Sequence, residues 1–224
     1  GGCSPAAPEA YASVQAREPR PVPVGRILPW HVTHISLYYF IELMGRRAFP
    51  HFRPEYEPPP WRQAFGHVGR ALKSRRAATR RRIATILQGD LPFILVCLQR
   101  DGDSQLVRHS SLPTNAAFMA HVLDNFAGHA PTGLHLVVKG HPLDGGALAD
   151  LCRASRGLVV NNSSAALSAL GFGTPVKVLG EAFFDMEGLT DTRPLDQFWS
   201  APRAPDPDLF ARFRTWVIDN TQIN

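Results

Sequence analysis

Between Leu134 and Val178 the chain reads LHLVVKGHPLDGGALADLCRASRGLVVNNSSAALSALGFGTPVKV, an order that few folds can accommodate. An apolar run, a polar turn and a helix-forming stretch are followed by the same three again. The runs Leu134–Lys139 and Gly157–Val160 are short and aliphatic, as strands buried on both faces of a sheet must be. Each gives way to small polar residues, first Gly140-His141-Pro142 and then Asn161-Asn162-Ser163-Ser164. The segment Ala165–Leu170 is a good helix former, closed by Gly171 and Gly173. Pro92–Leu98 supplies an earlier buried strand, Thr114–Phe126 the helix after it, and Val176–Leu179 a fourth strand. Strands alternating with helices predict an α/β fold, a Rossmann-like parallel sheet with helices on both faces. In such sheets ligands bind outside the carboxyl ends of the strands, where the polar turns fall.

The 224 residues suffice for one α/β domain and a smaller attachment. Apolar residues make up 44% and charged ones 19%, enough to form a core and too few charges for wholesale disorder. Residues 1–30 are rich in proline and alanine and read as an irregular connecting arm. Residues 31–90 read as a helical segment, and residues 91–224 as a Rossmann-like nucleotide-sugar-binding domain. Within the helical segment, 31–49 is expected to be a packed helix, because Glu42 and Arg46-Arg47 interrupt it before it could span a bilayer. His31 and His34 stand one turn apart without a carboxylate or cysteine at ligand spacing, so no metal site is expected there. The last helix is expected over Asp206–Asp219, with Leu209, Phe210, Phe213, Trp216 and Val217 on its apolar face.

The net charge of +5 is a local matter. Residues 62–88 hold eight lysines and arginines and no acid, while the other 16 basic residues are outnumbered by 19 acidic ones. This basic helix is either a solvated face or a surface for an anionic membrane. Nothing interleaves aromatic with basic residues, so nucleic acid is not an expected partner. Cys97 and Cys152 lie in apolar contexts and read as buried free thiols, as suits a reducing cytoplasm. No signal-peptide pattern opens the chain, and the start at Gly1-Gly2 reads as a cut.

Three loops should meet at the carboxyl edge of the sheet. The first carries Asp101, Asp103, Gln105 and His109; the second Lys139, His141 and Pro142; the third Asn162, Ser163 and Ser164. A lysine, a histidine and a helix start can offset phosphate charge, while a carboxylate serves as nucleophile or base. Together they suit transfer of a group from a nucleotide. Blander roles exist for each: Asp101-Gly102 as turn chemistry, and Ser163 or Ser164 as an N-cap. Neither a G-x-G-x-x-G nor a P-loop is present, which argues against dinucleotide oxidoreductases and P-loop NTPases.

The motifs themselves carry a resemblance. Gln99-x-x-x-Asp103-Ser104-Gln105 followed by His109-Ser110, then LVVKGHPLD (136–144), VVNNSSAALSAL (159–170), GTPVKVLGEAFFDMEGLT (173–190), LDQFWSAP (195–202) and FARFRTWVIDNTQIN (210–224) resemble the bacterial capsule polysaccharide β-Kdo transferases. The likeness is greatest to the KpsS-like branch, related to KpsC, and runs from about residue 92 to the end. It implies a retaining, metal-independent transferase that needs no cofactor and uses CMP-Kdo as donor. Its acceptor would be a phosphatidylglycerol-type lipid or the Kdo linker on it, and its fold a GT-B pair of Rossmann-like domains. By the same resemblance Asp103 is the nucleophile and His141, with Pro142, contacts CMP. Asn162, Ser163 and Ser164 lie at the nucleotide, with Gln105, Lys139 and His109 in support. The implied partners are the CMP-sugar donor, an anionic lipid acceptor and other capsule-assembly proteins, at the cytoplasmic face of the inner membrane.

Against that pattern the chain lacks an N-terminal Rossmann-like domain and a βα unit between His141-Pro142 and Asn162-Ser163. It is therefore expected to be an incomplete transferase, represented by its donor-binding part. The alternative is a non-catalytic capsule assembly or export protein that keeps the fold.

Overall fold

The computed structural model describes residues 13–20, 33–34, 36–38, 40–41, 44–45, 48–49, 51, 77–99, 106, 109–140 and 148–221. Its centre is a four-stranded sheet of β1 (Phe93–Cys97), β2 (His135–Lys139), β3 (Gly157–Val160) and β4 (Val176–Val178). The spatial order is β2-β1-β3-β4 and every pairing is parallel. Between and around the strands run α1 (Ala77–Gln88), α2 (Asn115–His129), α3 (Leu148–Ala154), α4 (Ala165–Gly171), α5 (Leu195–Ser200) and α6 (Pro207–Thr221).

Side-chain alternation sends each strand's residues into two separate cores. Phe93, Leu95, Cys97, Leu158, Val160, Val176 and Val178 face a core completed by α3, α4 and α6. Ile94, Val96 and Val159 face another, completed by Phe118 and Val122 of α2 and by Leu195, Phe198 and Trp199 of α5. Helices thus cover both faces, and every residue of β1, β3 and β4 is buried, as the apolar runs of β1 and β3 require. A large aliphatic or aromatic side chain fully buried in this way contributes about 1.5–3 kcal/mol.

Local chemistry sets the helix boundaries. The Thr114 hydroxyl accepts from Ala117 N at 3.1 Å and caps α2, which runs three residues past the expected end. Asp206 caps α6 by accepting from Asp208 N at 2.8 Å and Leu209 N at 3.1 Å. The short helix α5 was not anticipated. It is held by Trp199, whose Nε1 donates to Asn125 Oδ1 at 2.7 Å and whose ring meets Phe126 edge-on at 5.2 Å.

Three expectations require correction. β2, expected to be buried on both faces, is an edge strand of this sheet, with His135 and Val138 exposed. Part of the irregular arm is anchored: residues 13–15 form a helical turn that places Val14 in the core at 1% exposure. Arg212 of α6 donates to the carbonyls of Gln15 at 3.1 Å and Arg17 at 2.8 Å, and Arg17 pairs with Asp219 at 3.3 Å. The packed helix over 31–49 also differs from expectation. Its described helical residues Leu37, Tyr38, Phe40, Ile41 and Met44 are all more than half exposed. Of the basic stretch, residues 62–76 lie outside the described residues, as does His31.

Candidate functional site

Three strand ends are bound together by side-chain amides. β1 is followed by Leu98-Gln99, and the Gln99 side chain donates from Nε2 to Asn162 Oδ1 at 2.8 Å while its Oε1 accepts from Asn162 N at 3.4 Å. This amide pair links the loop after β1 to the turn after β3. Gln99 is in turn held by Asn115, which donates to the Gln99 carbonyl at 2.8 Å and accepts from Gln99 N at 3.3 Å. Asn162 Nδ2 reaches the His109 carbonyl at 3.2 Å, and Glu181 N, beyond β4, donates to the same oxygen at 2.8 Å.

Asn161 forms the other half of the braid. It is 2% exposed, accepts from Ser110 Oγ at 2.7 Å and donates to the Leu112 carbonyl at 2.8 Å. Gly180 N donates to the Asn161 carbonyl at 2.9 Å. A β-carbon on Gly180 would collide with Asn161 Oδ1, so the close approach of the β3 and β4 ends requires glycine there. Buried amides with each polar atom paired hold a loop in one arrangement, because breaking a pair leaves a desolvated partner.

The structure brings His109, Asn162 and Ser163 to this edge, with Lys139 one strand away, paired in register with Cys97. His109 Nδ1 lies 3.5 Å from Glu181 Oε2, and both groups are solvent-accessible. Lys139 is half-buried, and among the described residues its Nζ donates to the neighbouring Gly140 carbonyl, at 3.3 Å. Ser163 Oγ accepts from Ala165 N at 3.3 Å, which is the local capping role. Ser164 stands at the start of α4 in helical geometry, exposed and without a capping bond from its side chain. Asp101, Asp103, Gln105, His141 and Pro142 lie outside the described residues. Gln99, before the stretch that carries Asp103 and Gln105, and Leu106, after it, are both buried.

Gln99, Asn115, Asn161, Ser110 and Glu181 were not among the expected site residues. A polar residue directly after a buried strand, as at Gln99 and Asn161, is the signal that could have marked them. Asn162, expected at the nucleotide, has its amide engaged in the braid.

A second polar cluster accounts for the GTPVKVLGEAFFDMEGLT motif. Lys177, in the middle of β4 and 8% exposed, donates to the carbonyls of Asp191 at 2.9 Å and Arg193 at 2.5 Å. It thereby fastens the long return after β4 to the sheet. Burial lowers its pKa, against the raising effect of Asp185 and Asp191. Asp185 is pushed up by burial, despite a hydrogen bond from Thr190. Burial would raise Asp191 too, but hydrogen bonds from the Arg193 side chain and from Arg203 N hold its pKa below the usual value. Burial also pushes the Cys97 thiol up to about 12 and the Cys152 thiol up to about 11, so both stay protonated and unreactive. A surface cavity of about 280 Å³ lined by Gln15, Glu187, Asp206 and Arg212 involves none of the strand-end loops. Among the described residues no group of three His, Cys, Asp or Glu side chains is arranged to hold a metal.

The family profile for capsule polysaccharide biosynthesis proteins matches residues 15–150 and 144–224. The chain belongs to that family. Within it, the chain is similar to the capsule polysaccharide export protein KpsS of Escherichia coli, at 31% identity over 86% of this chain and 57% of that one. It is also similar to the capsule polysaccharide modification protein LipB of Neisseria meningitidis serogroup A, at 35% identity over 59% of this chain and 38% of that one. The chain thus spans little more than a third to little more than half of these relatives. Among solved structures, the beta Kdo 2,7 transferase KpsC of Thermosulfurimonas dismutans aligns with a TM-score of 0.41 at 19% identity, over 64% of this chain and 54% of that one. This family member's two profile matches meet at residues 144–150, the region where the sequence is expected to lack a βα unit.

Proposed function

We propose that this capsule-family chain is the donor-binding part of a retaining glycosyltransferase. It would transfer Kdo from CMP-Kdo to a phosphatidylglycerol-type lipid, or to the Kdo linker on it. The observation that carries the reading is the amide braid, which holds the loops after β1, β3 and β4 together at the carboxyl edge of a parallel sheet. That edge is where an α/β fold receives a nucleotide.

In this mechanism an Asp103 carboxylate oxygen forms a bond to the anomeric carbon of Kdo as the bond from that carbon to the CMP phosphate oxygen breaks. The acceptor hydroxyl then attacks the same carbon, gives up its proton, and releases Asp103. Two inversions give net retention. His141, held by Pro142, contacts CMP. Lys139, Ser163 and Ser164 lie toward the departing phosphate, where positive charge and hydroxyl donors lower the barrier to its leaving. Asn162 and Gln105 set the loops, and His109 is available for proton transfer. No metal or resident cofactor takes part. The acceptor places the chain at the cytoplasmic face of the inner membrane, beside other capsule-assembly proteins.

A second reading, a non-catalytic assembly or export protein, is favoured by the similarity to the capsule polysaccharide export protein KpsS of Escherichia coli. Calorimetric titration with CMP, and with UMP and GMP for comparison, tests the proposal. Selective CMP binding that is lost in His141→Ala is the expected result. Absence of binding by the folded chain would transfer the case to the non-catalytic reading, and preference for UMP or GMP would mean another nucleotide sugar.

A further inference from the structure

Outside the strand-end loops, the feature that most needs a partner is the exposed apolar face between residues 33 and 45. Residues 33–34, 36–38, 40–41 and 44–45 are helical. At helical spacing Leu37, Phe40, Ile41 and Met44 occupy i, i+3, i+4 and i+7, a single stripe. Their exposures are 52%, 59%, 58% and 60%, far above those of side chains in the two cores. Among the described residues around the stripe, Thr33 and His34 precede it, Ser36 lies to one side and Tyr38 to the other, and all four are exposed. A contiguous row of four large apolar side chains in water marks an interaction surface.

Charge identifies the occupant. Arg46 and Arg47 follow Met44 after a single glycine, and the stretch 62–88 adds eight lysines and arginines with no acid, in a chain otherwise slightly acidic. An apolar helical stripe followed in sequence by concentrated basic residues is the composition that settles into the headgroup boundary of an anionic bilayer. A protein partner would be met by apolar area alone and would not require the cations. The stripe is not a span, since no helix among the described residues is long and apolar enough to cross a membrane.

We propose that the Leu37–Phe40–Ile41–Met44 face inserts into the surface of a bilayer rich in anionic phospholipid and seats the chain there. The proposal deepens the reading of a lipid-acceptor transferase by naming the membrane-contacting surface, and rests on that reading only for the choice of lipid. Insertion of the apolar side chains provides the salt-independent part of binding, and attraction of the cations provides the part that salt screens.

The test is co-sedimentation of the 224-residue chain with vesicles of phosphatidylcholine alone or mixed with phosphatidylglycerol. The expected result is binding to the mixed vesicles, weakened by roughly tenfold or more in Phe40→Glu and again in Ile41→Glu, because each removes a buried apolar side chain. Both variants should melt at the wild-type temperature, since neither side chain contributes to a core. Phe40→Trp keeps the face apolar and supplies a second measurement, in which brominated phosphatidylglycerol should quench its emission beyond that of the parent chain. Equal binding by the wild type and Phe40→Glu, absence of binding to phosphatidylglycerol vesicles, or an unquenched Phe40→Trp would overturn the proposal. So would a dimer in solution that dissociates in Phe40→Glu, because a second copy would then cover the stripe. Vesicle binding is read without donor or transfer, so its failure is distinct from failure of the CMP titration.

Discussion

Asn161 is the residue on which the braid depends most, and replacing it with aspartate separates its two hydrogen bonds by pH. In the native protein its Oδ1 accepts from Ser110 Oγ and its Nδ2 donates to the Leu112 carbonyl, at 2.7 and 2.8 Å. Asn161→Asp keeps the shape and the acceptor but exchanges the donor for an oxygen. Ionised, that oxygen faces a buried carbonyl, which loses its partner at a cost of about 1–3 kcal/mol, with carboxylate burial and repulsion in addition. We expect a loss of roughly 2–4 kcal/mol at pH 7, near the upper end for a single buried polar substitution. Protonated, the introduced carboxyl can donate to Leu112 O and restore the pair. Its folded-state pKa is therefore raised above the unfolded value of about 3.9. The stability it supports is full below pH of about 3.9 and is lost as pH rises through the folded value. Urea unfolding followed by the fluorescence of buried Trp199, with wild type and variant compared from pH 3.5 to 8, measures this difference directly. A difference that stays constant with pH would show that the Leu112 bond is not what Asn161 contributes, and would refute the account of the braid.

Three further outcomes follow from other contacts. Gly157→Ala places a β-carbon 2.7 Å from Phe198 Cζ and 3.3 Å from Ile94 Cδ1, both in a fully buried core. It should cost about 1–3 kcal/mol in chemical denaturation, and combining it with Phe198→Leu should recover part of that loss rather than add to it. Asp191 has a lowered pKa, so its contribution is present above pH of about 3.9 and is lost as pH falls through the folded value. Asp191→Asn should accordingly be less stable than wild type at pH 7, with a shallower decline on acidification in thermal melts. Asp103→Ala should abolish Kdo transfer by the complete enzyme while leaving CMP affinity within about twofold in calorimetry, and transfer at the wild-type rate would remove Asp103 from the mechanism.

Much of the sheet could be read in advance because its signals are local. A run such as Phe93-Ile94-Leu95-Val96-Cys97 has no polar residue to expose, so it had to become a strand covered on both faces. Thr114 marks the start of α2 through its own side chain, and the strand ends follow from abrupt changes of composition. The same locality places the polar turn after β3 at the carboxyl edge of the sheet, where Asn161, Asn162 and Ser163 stand.

The pairings across the chain could not be read that way. Nothing near Gln99 in sequence says that its amide meets Asn162, sixty-three positions away, and Asn161 and Asn162 look interchangeable until the fold turns one inward and the other across the edge. Val14 lies in a proline-rich arm with no periodicity, and becomes core only because Arg212 of α6 binds the carbonyls around it. Lys177 reads as a charge in a strand, and its burial is tolerable only because the return after β4 brings two carbonyls to its ammonium group. Leu37, Tyr38, Phe40, Ile41 and Met44 are the converse, side chains that composition assigns to a core and the fold leaves in solvent. The sequence by itself determined the four strands, most of the helices around them and the parallel α/β class, because strand burial and helix capping depend on near neighbours. Tertiary structure alone decided which amides lock the strand-end loops together and which apolar face stays uncovered, because both depend on groups brought together from distant parts of the chain.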